Sequence, residues 1–302
     1  MKFQRRAIVL GMASSPVWGC RFGAATELVP MDTAGNATID KIITIKLGQS
    51  GESFVLANGR ERVNVKREPA GLNFYKVRWQ INQLGVAHVD HGIHSFRIEN
   101  VLSCSGTEDA ELLDEGIGVF RFNAAPTNLE TIAHLEARDH LFGLLHMLGA
   151  AGWRRYIFRA QPRLIGRDAL EYSIKKFGVY GLDPDYLPTL DEWMRLDDGA
   201  RWRLYAAGVY LTIQFMRDSE RMNPKEPGAY LLIFELKSET SDSREYFAPE
   251  DRSRWLELWP ARKKELERER AEAEAKARAQ GLAIDTTYTD PPVLALQQGG
   301  RP

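Results

Sequence analysis

The densest group of side chains capable of chemistry is His88-Val89-Asp90-His91-Gly92-Ile93-His94. Imidazoles and a carboxylate together suit zinc or a similar metal, so a hydrolase or metal enzyme centred on His88, His91 and His94 is one hypothesis. The spacing opposes it. On an extended chain His88, Asp90 and His94 share one face while His91 points to the other. A helix would gather the imidazoles, but Gly92 and the adjoining strand pattern disfavour one. Asp90-His91-Gly92 has the composition of a turn between strands, and no metal ligand is assigned. His134, His140 and His146 recur every six residues. Each step turns about 240° around a helix, so the three share no ligand face.

Nucleophile motifs fail as well. Gly48-Gln49-Ser50-Gly51 is one residue short of the Gly-x-Ser-x-Gly elbow. Ser103-Cys104-Ser105-Gly106 has no recognisable catalytic spacing, and Cys104 is expected to be buried and inert. Asp183-Pro184-Asp185 and Asp197-Asp198-Gly199 lack the ligand spacing of calcium loops and fit turns. No phosphate loop or dinucleotide fingerprint is present. No catalytic residue and no cofactor are assigned, and the chain is not expected to be an enzyme.

The elements that would position any site are mixed. Period-two runs at Ile39–Leu47, Phe74–Trp79, Ser95–Glu99, Gly118–Phe122, Arg155–Phe158, Leu204–Met216 and Ala229–Leu236 predict strands. Gln49-Ser50-Gly51 is expected to be a turn. Thr127-Asn128-Leu129-Glu130 and Thr189-Leu190-Asp191-Glu192 are capping-box sequences that predict helix starts. The first helix presents Leu141, Leu144, Leu145 and Leu148 before Gly149 and Gly152. Pro249 suits a first helical position, and Pro260 is expected to kink that helix or to begin a new segment. Trp153, Trp193, Trp202, Trp255 and Trp259 are expected mostly in the core, an exposed one among them marking a partner surface.

The fold class expected is α+β: antiparallel sheets with packed helices and a long charged C-terminal helix. Strands precede a helix twice, at 38–152 and 153–260, as in a structural duplication or, alternatively, in one α+β domain. Segment 261–281, nearly all Ala, Glu, Lys and Arg, carries acid-first pairs such as Glu272–Lys276 and Glu274–Arg278. It is expected to project into solvent, followed by a flexible tail at 282–302.

The first 19 residues have the layout of an export signal. Lys2, Arg5 and Arg6 precede the apolar Ala7–Ala13, and small Gly19 precedes Cys20. That apolar run is far short of the roughly 20 residues of a membrane-spanning helix. A small residue before cysteine matches a bacterial lipobox, so Cys20 is the expected lipidation site, although Trp18 is bulky for such a motif. Simple secretion and an uncleaved cytoplasmic chain are the alternatives. A retained Cys20 could instead pair with Cys104 in an oxidising compartment. Residues 20–37 are expected to form a tether. The 40 basic and 41 acidic residues leave no basic tract for phosphates, which disfavours nucleic-acid binding. Membrane association is expected only through the lipid.

The leader ending in Val17-Trp18-Gly19-Cys20, the two strand-then-helix segments, and the runs Gly208-Val209-Tyr210-Leu211-Thr212-Ile213 and Gly228-Ala229-Tyr230-Leu231-Leu232-Ile233 resemble the immunity lipoproteins that protect bacteria from phospholipase effectors of type VI secretion. The resemblance implies a periplasmic, membrane-anchored inhibitor that binds and neutralises a secreted toxin. No residue roles carry over from it. From the residues alone, the charged connection Arg217–Pro227 between strong strands is the candidate binding surface, with Arg217 and Arg221 as its contact residues. The alternative function is a structural or assembly lipoprotein of the cell envelope with no toxin partner.

Overall fold

The computed structural model of the chain describes residues 41–69, 71–176 and 180–298. The signal peptide, Cys20 and the tether expected at 1–37 lie outside them. The described residues belong to one compact unit.

An eleven-stranded sheet, counted among the described residues, organises this unit. Its main path runs β1 (Ile42–Ile45), β4 (Gly85–Val89), β5 (Phe96–Asp109), β6 (Ile117–Ala124), β11 (Tyr230–Ser238), β10 (Val209–Arg217), β9 (Arg201–Ala206) and β7 (Arg154–Arg155). The long β5 pairs with β4 through its first half and with β3 (Leu72–Arg78) through its second, and β2 (Asn64–Glu68) lies outside β3. Short β8 (Gly181–Leu182) joins β9. β1–β4 and β8–β9 are parallel, and the remaining pairs are antiparallel. The expected segments 38–152 and 153–260 meet at the β6–β11 pair, inside this one sheet. The layout is therefore one α+β body.

Strict alternation decides which sheet face is dry. Phe120 and Phe122 on β6, Phe234 and Leu236 on β11, Leu211, Ile213 and Phe215 on β10, and Trp202 and Leu204 on β9 all point to one side and are buried. Three helices cover that side. Phe54 of α1 (Gly51–Asn58) meets Phe120, with ring centroids 5.3 Å apart. Phe142 of α2 (His134–Ala150) meets Trp202 edge-on at 5.9 Å. Trp193 of α4 (Leu190–Arg195) lies 4.7 Å from Phe215. All five tryptophans singled out above are buried, so none marks a partner surface.

The opposite face carries the polar half of the alternation. One end is covered by α5 (Glu239–Arg244), by residues 156–158 and by α6 (Trp255–Ala279). α5 sits so close that a Cβ at Gly118 would lie 2.4 Å from Ser241 Oγ. α3 (Gly166–Lys175) and Tyr180 form a smaller cluster with Leu164 and Ala277.

Several expectations are corrected. Leu204–Met216 is two strands, because Ala207 and Gly208 both take positive φ (41° and 82°) and close a tight hairpin. The expected turn at Gln49-Ser50-Gly51 starts α1 instead, with Ser50 Oγ accepting from Ser53 N. The helix expected from Thr127 begins at His134; Thr127 Oγ1 accepts from Leu129 N in a local turn. The Thr189–Glu192 capping box forms in full. The α6 helix continues through Pro260 as one element.

The expected solvent-projecting helix at 261–281 and the flexible tail at 282–302 are corrected furthest, the tail only up to 298, since 299–302 lie outside the described residues. α6 buries Leu266, Glu274 and Ala277 against the body. Glu274 receives Arg163 Nε at 2.6 Å, and Arg270 makes a two-pronged pair with Asp290 at 2.7 and 3.0 Å. Tyr288 Oη accepts from Ile157 N, Ile284 bridges to Leu164, and Glu239 receives the amides of Leu294 and Ala295. The described tail, with α7 (Leu294–Gln298) near its end, is strapped to the body. Composition hid this because the partners are distant in sequence.

Candidate functional site

The connection between β10 and β11 is a long, exposed loop. Residues 219–227 are all exposed. Its chain is nevertheless folded into two successive turns. Arg221 N donates to Asp218 O at 3.1 Å and Glu226 N to Asn223 O at 3.0 Å. Asp218 and Asn223 side chains accept from Glu220 N and Lys225 N, the Asx geometry that fixes such turns.

The base of the loop is pinned. Ile132 and Gly228 exchange both backbone hydrogen bonds at 2.9 Å, tying the loop to residues 125–131. Buried His134, at the first position of α2, reaches Asn223 O through Nε2 at 3.1 Å and Tyr230 Oη through Nδ1 at 2.5 Å. Trp193 Nε1 donates to the same Tyr230 Oη at 3.2 Å. The consistent assignment is Trp193 N–H to Tyr230 O, Tyr230 O–H to His134 Nδ1, and His134 Nε2–H to Asn223 O, with the ring neutral. Burial, and then the nearby Arg217 cation, hold the His134 pKa below its ordinary value.

This pinning presents a mixed surface. Leu129 is 67% exposed and Met222 36%, and Glu130 faces Arg221 at 3.6 Å across the two loops. Arg221 also pairs with Asp218 at 3.4 Å. Two exposed apolar side chains on loops joined by the Glu130–Arg221 pair, on a chain that needs little further ordering, suit protein recognition.

Arg221 therefore stands where the sequence places it, on the exposed loop. Arg217 does not. It is buried, and its guanidinium donates to Leu196 O at 2.6 Å and Met194 O at 3.3 Å at the C-terminal end of α4. It holds carbonyls that a helix end leaves unmatched, and the expectation of a contact residue is corrected. Leu129, Met222 and the pinning residues His134 and Tyr230 were missed by sequence reasoning. Only the polar, turn-rich composition of the loop hinted at them.

The histidine-rich segment has a different use. His91 Nε2 contacts Ala206 O at 2.9 Å, and His94 Nδ1 contacts Ala151 O at 2.7 Å. Trp153 Nε1 donates to His94 O at 2.9 Å. These bonds stitch the β4–β5 turn to the ends of α2 and β9. Among the described residues no three His, Cys, Asp or Glu side chains gather in a metal-binding arrangement. Cys104 is buried in the core, and burial pushes its thiol well above the ordinary range. Ser50 caps α1. Among the described residues no helix is long and apolar enough to cross a membrane.

Compared with family models, curated proteins and solved structures, the chain matches none of them.

Proposed function

We propose that the protein is an exported binding protein that neutralises an antibacterial toxin, anchored in the periplasm through Cys20. The observation that carries this reading is the loop surface around Met222. It bears exposed Leu129 and Met222 among Glu130 and Arg221, and it is held in shape by buried hydrogen bonds at its base. Preorganised apolar anchors beside charged groups favour tight protein association because little entropy is lost on docking. The resemblance to immunity lipoproteins supplies the partner class, a secreted phospholipase effector.

The test pairs the full chain with the toxin encoded beside its gene. Binding is expected, together with survival of sensitive cells that express both proteins. Leu129→Asp, Met222→Asp and Arg221→Glu are each expected to weaken binding, with the thermal midpoint unchanged. Absence of a complex would sink the immunity reading. A complex that ignores all three substitutions would move the interface elsewhere. Envelope defects on deletion, with no toxin present, would favour the assembly lipoprotein instead. Mass spectrometry of the N-terminus from the native host tests Cys20: an intact, unlipidated leader overturns the anchored form.

A further inference from the structure

On the polar face of the sheet, a cavity of about 490 Å³ opens between β9–β10–β11 and the covering segments. That volume lies in the range of small-molecule sites, roughly 300–1,000 Å³. Arg201 and Arg203 of β9 line one wall, Thr212 and Gln214 of β10 the floor, and Phe158 and Asp242 the cover.

The charges in this cavity do not cancel. Arg121 pairs with Glu235, and Lys237 pairs with Glu235 at 3.0 Å and Glu245 at 2.7 Å. Among the described residues Arg201 and Arg203 have no carboxylate partner. Among the described residues Arg201 is held by its Nε donating to Gly199 O at 3.0 Å. Arg203 Nε is buried with no hydrogen-bond partner among the described residues, and its guanidinium lies on Phe158, 3.3 Å from the ring centroid. Asp242 across the cavity is buried and, among the described residues, makes no side-chain hydrogen bond or ion pair. Two unmatched guanidinium groups against one carboxyl leave the cavity cationic.

Leaving a buried guanidinium nitrogen without a partner is costly. The cost appears as a depressed Arg203 pKa, pushed down to about 10 chiefly by burial and then by Arg201. Stacking on Phe158 recovers part of it and fixes the plane of the fork. A fork held in one plane is preorganised for two-pronged pairing with an oxyanion.

Two other recesses use their charged groups internally. In the cleft between α6 and the tail, Arg163 and Arg270 pair with Glu274 and Asp290. In the recess beside α1, Glu108 receives Gly51 N, Asn73 Nδ2 and Tyr75 Oη.

We infer that the cavity over β9–β11 binds a small molecule through an oxyanion, a carboxylate or a phosphate, gripped by Arg201 and Arg203. Thr212 and Gln214 supply polar contacts on the floor, and Phe158 supplies the apolar wall. This site uses residues distinct from the loop around Met222. It can fail or hold independently of the toxin-binding reading.

The test is a thermal-shift and calorimetric titration of the full chain with inorganic phosphate and, separately, with acetate, at ionic strength matched with chloride. A ligand that binds only the folded state raises the midpoint in a saturable way. A saturable rise is expected with at least one anion, and the stronger of the two identifies the oxyanion class. Arg203→Gln and Arg201→Gln are each expected to weaken it about tenfold, the weight of one charge-assisted contact, while Arg221→Gln leaves it intact. Should Arg203→Gln not fold, as judged by circular dichroism, Arg201→Gln decides alone, because its side chain is half-buried and lightly held. No rise beyond the chloride control with either anion overturns the inference. A response unchanged in the folded arginine variants overturns it too.

Discussion

Replacing Arg217 by Met should destabilise the protein severely without touching any exposed surface. The methionine keeps most of the aliphatic stem between Phe215 and Tyr230, whose rings lie 5.5 and 6.0 Å from the guanidinium carbon. What disappears is the charged head and its bonds to Leu196 O and Met194 O. Hydrogen bonds to charged groups contribute roughly 1.5 kcal/mol or more each, so the two amount to about 3 kcal/mol. A buried ion replaced together with its partners can be neutral. Here the partners are backbone carbonyls at the end of α4, which remain and lose their donor. The cost therefore stands. For a body of this size it lowers the melting temperature by about 6–12 °C. Arg221→Met, on the exposed loop, should stay within about 0.5 kcal/mol. Urea unfolding of both variants beside the wild type measures the contrast. A loss below about 1 kcal/mol for Arg217→Met, or equal losses for the two variants, would refute the assigned role of Arg217.

Two titrations give further checks. Burial pushes the Asp242 carboxyl up to about 6 from its ordinary 3.8. Between those values the folded state holds a proton that the unfolded chain has lost, so this group's contribution falls as pH rises from about 4 to 6. A pKa raised by one is worth about 1.4 kcal/mol, so Asp242→Asn should gain up to about 3 kcal/mol over wild type between pH 4 and pH 8; parallel stability curves would contradict this. For His134 the folded pKa lies below the ordinary 6.5. The unfolded chain therefore takes up the proton first, and stability is lost as pH falls below about 6.5. Protonation also removes the acceptor for Tyr230 Oη, so hydrogen-exchange protection at 218–228, corrected for the intrinsic rate at each pH, should fall on acidification and less so in His134→Gln; protection that does not change with acid would argue against the neutral tautomer.

How much of this was legible depended on how local the determinants are. The Thr189–Glu192 capping box was readable because both halves of the interaction lie within one turn. The identical-looking signal at Thr127 misled, because the chain first spends residues on the Ile132–Gly228 bridge and enters α2 only where His134 can reach Tyr230. The β9–β10 hairpin was hidden because Ala207 takes the left-handed conformation that Asn or Gly usually announces. Arg217 was placed wrongly although its signal was present. It continues the inward series Leu211, Ile213 and Phe215 at period two, and that periodicity should have outweighed its charge. α6 could not be read from composition, since its buried side is made by Glu274 meeting Arg163 across more than a hundred residues.

The arginines also bear on where function lies. Arg163, Arg244 and Arg270 meet carboxylates, and Arg217 meets carbonyls. Arg155, Arg244 and Arg262 each leave one buried nitrogen unmatched, yet each is held through its other nitrogens. Arg203 alone among these has its Nε buried without a partner and, among the described residues, no pairing through the rest of its fork. A fold that satisfies buried guanidinium groups elsewhere with two or three bonds has the means to satisfy this one. Glu235 and Glu245 already line the same cavity but are engaged by Arg121 and Lys237. Asp242, the remaining carboxylate of the cavity, stabilises the Arg203 charge without a bond to it, so the fork stays open to the anion inferred above.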